Sequence, residues 1–293
     1  MTLGVEARNL VLRYGETTAL NGLSFRLAGG KIHGLLGRNG SGKTSLLSLL
    51  AAFRQPAAGQ VLVDGEAPFE NQDVVRHICL IREGGDLCAS ERVSQVLDFA
   101  ARMRPDWDAE LAGRLVERFR LPIRTRAMSL SRGQRSALGV TLGMASRAPL
   151  TIFDEVHLGM DVPARYAFYE ELLDDYSAHP RTFILSTHLI EEVSSLFEQV
   201  LIVDRGRLVI QATADELRER GAAVTGPAEV VDWFVAGRTV LGEQRLGAVK
   251  AVTIYGELDQ TQREAAAAAG LELGPVALQD LFVHLTKDPE VVR

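Results

Sequence analysis

Residues 37–44 read Gly-Arg-Asn-Gly-Ser-Gly-Lys-Thr, three glycines followed by a lysine and a hydroxyl at the spacing of a phosphate-binding loop. The apolar run Ile32 to Leu36 precedes them and the apolar-rich stretch Ser45 to Phe53 follows, so the context is strand, loop, helix. Gly37, Gly40 and Gly42 let successive backbone N–H groups curl around an anion, and the new helix aims its positive end at the same place. Lys43 would reach the β- and γ-phosphates and the Thr44 hydroxyl would ligate Mg²⁺, with Asn39, Ser41 and Ser45 as further contact positions. A second chemical signal lies at Leu150-Thr151-Ile152-Phe153-Asp154-Glu155, an apolar run closed by two carboxylates. A buried parallel strand delivers its C-terminal residues to the phosphate-loop edge of its sheet. There Asp154 can hold the Mg²⁺ shell and Glu155 can polarise an attacking water. Together these residues imply a nucleoside-triphosphate site.

The elements that must position them follow from periodicity and turn chemistry. Val5 to Tyr14 and Ala19 to Leu27 read as short strands separated by a turn at Gly15, and Gln60 to Val63 as a strand closed by Asp64-Gly65. From Ser90 to Arg120 the apolar spacing becomes helical, an insertion before the next strands. Leu150 to Phe153 and Thr182 to Leu185 are continuous apolar runs suited to buried parallel strands, with a helix from Pro163 to Tyr176 between them. Beyond Arg205-Gly206 the chain reads as a last strand and a polar helix from Asp215 to Arg220 that ends at Gly221. The remainder alternates short strands and helices, resembling a small split βαβ unit closed by a helix at Leu278 to Leu285.

Composition bounds the rest. The 293 residues allow one large α/β domain and something smaller. A net charge of −6 provides no electrostatic footprint for nucleic acid, so no nucleic-acid partner is expected. Cys79 and Cys88 have neither metal nor redox-pair spacing and read as reduced thiols. No stretch approaches the roughly 18 apolar residues of a membrane span, and the start lacks a signal-peptide pattern. A soluble protein is expected, reaching any membrane through a partner.

Between the two chemical signals lies Leu130-Ser131-Arg132-Gly133-Gln134-Arg135, ahead of a helical stretch from Ser136 to Ala145. This order of segments resembles the nucleotide-binding subunit of ATP-binding cassette (ABC) transporters, whose signature segment is Leu-Ser-Gly-Gly-Gln. The resemblance covers residues 3 to 220. It implies that Ser131, Gly133 and Gln134 form a second phosphate-binding surface, that Tyr14 stacks on adenine, and that His188 is the switch histidine contacting the γ-phosphate. It places Gly159-Met160-Asp161 in the loop that lies across a dimer. The sequence departs from the family at two positions: Arg132 replaces the first signature glycine, and Glu83 stands where a glutamine is usual. The resemblance makes Glu83 a metal-linked carboxylate.

The expected fold is an α/β P-loop NTPase of the ABC type. A mixed sheet core carries a helical subdomain at about residues 84–148, within an ATP-binding domain at residues 1–220. A small C-terminal α+β accessory domain follows at 221–293. The resemblance further implies a dimer holding ATP and Mg²⁺ between two ATP-binding subunits, the partner being a second copy or a related chain. The dimer would lie on the cytoplasmic face of the membrane and act on separate integral membrane permease subunits. Gly274 to Leu285 resembles the C-terminal segment of ABC-2 type export ATPases, which implies export. The alternative is a soluble ABC ATPase of translation or DNA repair. The expected absence of a second cassette and of long coiled-coil insertions argues against it.

Overall fold

The computed structural model describes residues 2–83 and 90–287. It divides into two compact units. The first runs to His188 and takes in Val203–Leu208; the second comprises Leu189–Ile202 and the chain from Val209.

In the first unit, β1 (Val5–Tyr14) and β2 (Thr17–Leu27) form an antiparallel hairpin, and β4 (Ala58–Val63) pairs with the other side of β1. The turn between the first two contains Gly15, as its φ of 57° requires. β3 (Ile32–Leu36) leads into the phosphate loop and α1 (Lys43–Leu50). After a short α2 (Gln72–Val75) come β5 (Ile78–Arg82), α3 (Val93–Met103), α4 (Ala109–Arg118), α5 (Arg132–Ala145), β6 (Leu150–Asp154), α6 (Val162–Ala178) and β7 (Thr182–Thr187). The helical periodicity read from Ser90 to Arg120 is two helices, broken where Asp108 caps α4 by accepting a bond from Leu111 N at 2.8 Å.

β5, β6, β7 and β3 pair in parallel in that order. Every residue of β3, β6 and β7 is buried, as expected of strands covered on both faces. Phe153 anchors this core, edge-on to Phe168 at 5.2 Å and stacked with Phe183 at 6.3 Å between ring centroids. The register places Arg82 opposite Asp154, Asp154 opposite Ser186, and Leu36 opposite Thr187. Four strands therefore end together, and the segments that leave this edge begin with Gly37, Glu83, Glu155 and His188.

The arginines of α4 pair within the chain. Arg118 meets Glu170 at 2.6 Å and Arg114 meets Glu171 at 3.4 Å, both glutamates lying on α6. These exposed pairs contribute little to stability.

In the second unit, α7 (Ile190–Val193) comes shortly after the end of β7. β8 (Gln199–Asp204) and β9 (Arg207–Thr213) flank the Arg205-Gly206 turn, which belongs with Val203–Leu208 to the first unit, and α8 (Ala214–Glu219) follows in the second. Then come β10 (Gly221–Pro227), α9 (Ala228–Val235), β11 (Thr239–Leu246), β12 (Val249–Tyr255), α10 (Gln260–Ala268), β13 (Glu272–Pro275) and α11 (Leu278–Lys287). Gly221 does not close a helix as the sequence suggested; it opens β10, paired with Tyr255 across the ladder. The sheet order β11-β12-β10-β13, antiparallel throughout, is the split βαβ arrangement. Its core gathers Val224, Val231, Phe234, Val252, Ile254 and Leu271. α11 packs against α7 and α8 within this unit.

Cys79 is a buried free thiol in β5, and Cys88 lies outside the described residues.

Candidate active site: a phosphate loop facing paired carboxylates

The loop between β3 and α1 is built around Lys43, which is 6% exposed. Its Nζ donates to Gly37 O at 2.7 Å and to Arg38 O at 3.4 Å, and lies 3.5 Å from Glu155 Oε1. A buried ammonium needs such partners. They are also groups that an incoming phosphate can replace.

Gly42 caps α1 at φ 106°, where a side chain is strained, and an added Cβ would sit 2.7 Å from Ala19 O. The Arg205-Gly206 turn braces the loop from behind: Gly206 N donates to Ser41 O at 2.8 Å. Gly42→Ala is therefore expected to destabilise the protein by about 1–3 kcal/mol and to weaken nucleotide binding at least tenfold. Chemical denaturation and a nucleotide-binding titration measure the two effects.

Asp154, the last residue of β6, is 4% exposed. Its Oδ2 accepts a bond from Thr44 Oγ1 at 2.8 Å. Among the described residues its Oδ1 is buried without a hydrogen-bond partner. A carboxylate and a hydroxyl side by side, with a free buried oxygen, form the hard oxygen donor set that Mg²⁺ takes. The residues fit the ion.

Glu155 follows in the left-handed region at φ 53°, a conformation that costs a non-glycine residue about 1–3 kcal/mol and clusters at functional sites. Its backbone N–H is held by Ser186 O at 3.0 Å. The side chain is thereby set between Lys43 and His188, whose Nδ1 lies 3.1 Å from Glu155 Oε2. His157, 2% exposed, braces the same corner: its Nε2 lies 2.8 Å from Thr187 Oγ1 and 3.9 Å from Glu155 Oε2. Sequence reading missed His157, because a histidine in a loop carries no spacing signal.

Ser131, Gly133 and Gln134 stand apart from this cluster, at the start of α5. Ser131 Oγ accepts from Gln134 N at 3.2 Å, and Gln134 Oε1 accepts from Ser131 N at 3.1 Å, a capping box. Ser131 O also accepts from Arg135 N at 2.9 Å, so the Ser131 and Gln134 hydrogen bonds described here stay within the start of α5. The first turn of α5 rests on the short 3₁₀ turn Val156–Gly159, so closely that a Cβ on Gly133 would lie 2.9 Å from Gly159 O. Asp161 caps α6 by accepting from Ala164 N at 3.0 Å.

Tyr14 is 39% exposed, with the Arg54 guanidinium 4.6 Å over its ring, and its hydroxyl accepts from Ser45 Oγ at 3.4 Å. Asn39 is an exposed loop-tip residue. Glu83 is ion-paired with Arg132.

The family model for ABC transporters matches residues 20–157. The daunorubicin resistance ATP-binding protein DrrA3 of Streptomyces coeruleorubidus is 30% identical over 307 aligned residues, covering 96% of this chain and 95% of that protein. The Nod factor export ATP-binding protein I of Ralstonia nicotianae is 30% identical, covering 94% and 91%. The putrescine transport ATP-binding protein PotG of Escherichia coli is 29% identical but covers 73% of this chain and 58% of its own length. Among solved structures, an ATP-binding subunit of an ABC transporter superposes with a TM-score of 0.65 at 23% identity, over 73% of this chain and 91% of that one. That likeness shows the fold. With 30% identity to such relatives along nearly its whole length, the chain belongs to the ABC transporter family, as an ATP-binding and ATP-hydrolysing subunit.

Proposed function

We propose that this chain is one of two ATP-binding subunits that meet head to tail and drive a separate integral membrane permease in export. The observation that supports this reading is that the loop at Lys43-Thr44 and the capped start of α5 at Ser131-Gly133, the two segments read as phosphate-binding, carry separate hydrogen-bond networks among the described residues. Two chains facing each other would each complete the other's site. No helix among the described residues is long and apolar enough to cross a membrane, so the permease is proposed as a separate chain. In this reading residues 1–220 are the ATP-binding domain, with its helical subdomain at about 84–148, and 221–293 the accessory domain. The subunit lies on the cytoplasmic membrane face.

Lys43 would exchange the carbonyls of Gly37 and Arg38 for phosphate oxygens, keeping its charge compensated throughout. Tyr14 provides the aromatic face for adenine, and Asn39, Ser41 and Ser45 complete the loop. Glu155 is placed to orient water and accept its proton, while His188 steadies that carboxylate and reaches the γ-phosphate. Thr44 and Asp154 would hold Mg²⁺, which when bound neutralises charge on the phosphates. For Glu83 a metal-linked role and its ion pair with Arg132 are alternatives, and a Mg²⁺ titration of Glu83→Gln separates them. Ser131, Gly133 and Gln134 of the second chain would close the site. Asp154→Asn should weaken Mg²⁺ affinity, and so raise half-saturating Mg²⁺, by no less than the roughly 10–100-fold that loss of an outer-shell partner costs, read by titrating Mg²⁺ against ATPase rate.

Export is supported by the relatives aligned along nearly the whole chain, which are named for drug resistance and for export, whereas PotG aligns over the shorter span. Detergent-extracted affinity purification from the native cell tests the assignment. Recovery of a multi-span membrane protein is expected; recovery only of ribosomes or DNA-bound proteins would contradict it.

A further inference from the structure

The two positions at which the sequence departs from the family pattern lie against each other. Arg132 and Glu83 form an ion pair although 49 residues separate them in the chain. The Arg132 stem also lies on the loop after β6, since a Cβ on Gly159 would come 2.9 Å from Arg132 Cγ. One side chain thus joins the loop that leaves β5, the first turn of α5 and the Val156–Gly159 turn, and it directly follows Ser131. Both partners retain solvent access, Arg132 at 61% and Glu83 at 39% of their side chains, so each can change its charge balance without a buried-charge penalty.

We propose that Arg132 is a positioning residue for the ATPase reaction: paired with Glu83, it forms a charge-neutral clamp that sets the potential of the Ser131-Gly133 surface toward the other subunit's triphosphate. This rests on the reading of Ser131 and Gly133 as that surface. A triphosphate is polyanionic. An uncompensated guanidinium next to Ser131 attracts it, and an uncompensated carboxylate repels it. With the pair intact the two effects cancel. A unit charge within a Debye length, partly screened by solvent, alters the affinity of such an anion by roughly three- to tenfold. Glu83→Gln leaves the cation alone, and Arg132→Gly leaves the anion alone. The two substitutions must therefore move half-saturating ATP in opposite directions, whereas a merely structural brace would weaken with either.

The test is steady-state ATPase of the full chain, with half-saturating ATP and kcat resolved separately. Glu83→Gln is expected to lower half-saturating ATP and Arg132→Gly to raise it, each by roughly three- to tenfold. Arg132→Lys, which keeps the charge, should restore what Arg132→Gly loses. Shifts in the same direction, or no shift in either variant, would overturn the clamp; a rise in Glu83→Gln accompanied by a higher Mg²⁺ requirement would assign Glu83 to the metal instead. Ser131→Arg separates the clamp from the reading beneath it. If Ser131→Arg abolishes ATPase while the other two shifts coincide, only the clamp fails. If it leaves ATPase unchanged, the signature surface itself is misassigned and the clamp falls with it.

Discussion

Glu155→Gln is expected to lower ATP turnover by about 10²–10⁴-fold while leaving nucleotide binding intact. The substitution keeps the shape of the side chain and removes the group that can take a proton from water. Three contacts hold Glu155 in place for that proton transfer. The Ser186 carbonyl accepts from its backbone, Lys43 lies 3.5 Å from one carboxylate oxygen, and His188 lies 3.1 Å from the other. The strained backbone at φ 53° persists only because those neighbours over-determine it. A glutamine would retain the His188 contact and lose the ion pair to Lys43, which affects the lysine's surroundings but not its bond to Gly37 O. Nucleotide affinity from equilibrium titration should therefore change far less than single-turnover hydrolysis. Loss of binding in parallel with turnover would assign Glu155 to the binding surface rather than to the water.

Asp175→Ala is expected to destabilise the first unit by about 3–5 kcal/mol, the cost of leaving buried charges without their partner. Asp175 is 3% exposed on α6 and stands between two guanidinium groups. Arg181 reaches it at 2.7 Å, and Arg147 pairs with it while also reaching Asp108 at 2.7 Å. Burial pulls the Arg181 pKa below its ordinary value, and the Asp175 carboxylate opposes that pull. Removing Asp175 leaves Arg181 with a carbonyl bond to Met144 at 3.0 Å and the face of Phe183 at 4.5 Å. Neither carries a compensating charge. Replacing Asp175, Arg181 and Arg147 together by apolar residues of similar volume should cost far less than the single substitution. Chemical denaturation of the two variants decides it, and equal costs would show that packing rather than charge governs the site.

The network around Asp175 was invisible in the sequence, because periodicity marks which positions are buried but not which charges meet across the fold. Arg147 lies in the turn after α5 and Asp175 on α6, 28 residues further along, and nothing local links them. The same is true of Glu83 and Arg132. The phosphate loop and the Asp154-Glu155 pair were legible for the opposite reason. Their chemistry is contiguous in the chain, and the buried strands that carry them fix where they emerge. The hairpin, the helical character after residue 90 and the alternation of short strands and helices beyond residue 220 followed from apolar spacing and turn residues in the same way, whereas the break at Asp108 and the strand order of the second unit did not. Gly221 was misread because a glycine after a short helix has the pattern of a cap, and only the ladder to Tyr255 shows it to be the start of a strand. His157 escaped notice because its role comes from Thr187, supplied by a strand 30 residues away in the chain.

The central claim is that two chains complete each other's nucleotide site. Analytical ultracentrifugation of the Glu155→Gln chain with ATP and Mg²⁺ tests it most directly, run beside the same chain carrying Ser131→Arg. Dimers in the first sample, reverting to monomers with ADP and absent from the second, are the predicted result. Monomers at saturating ATP, or dimers that tolerate Ser131→Arg, would contradict it.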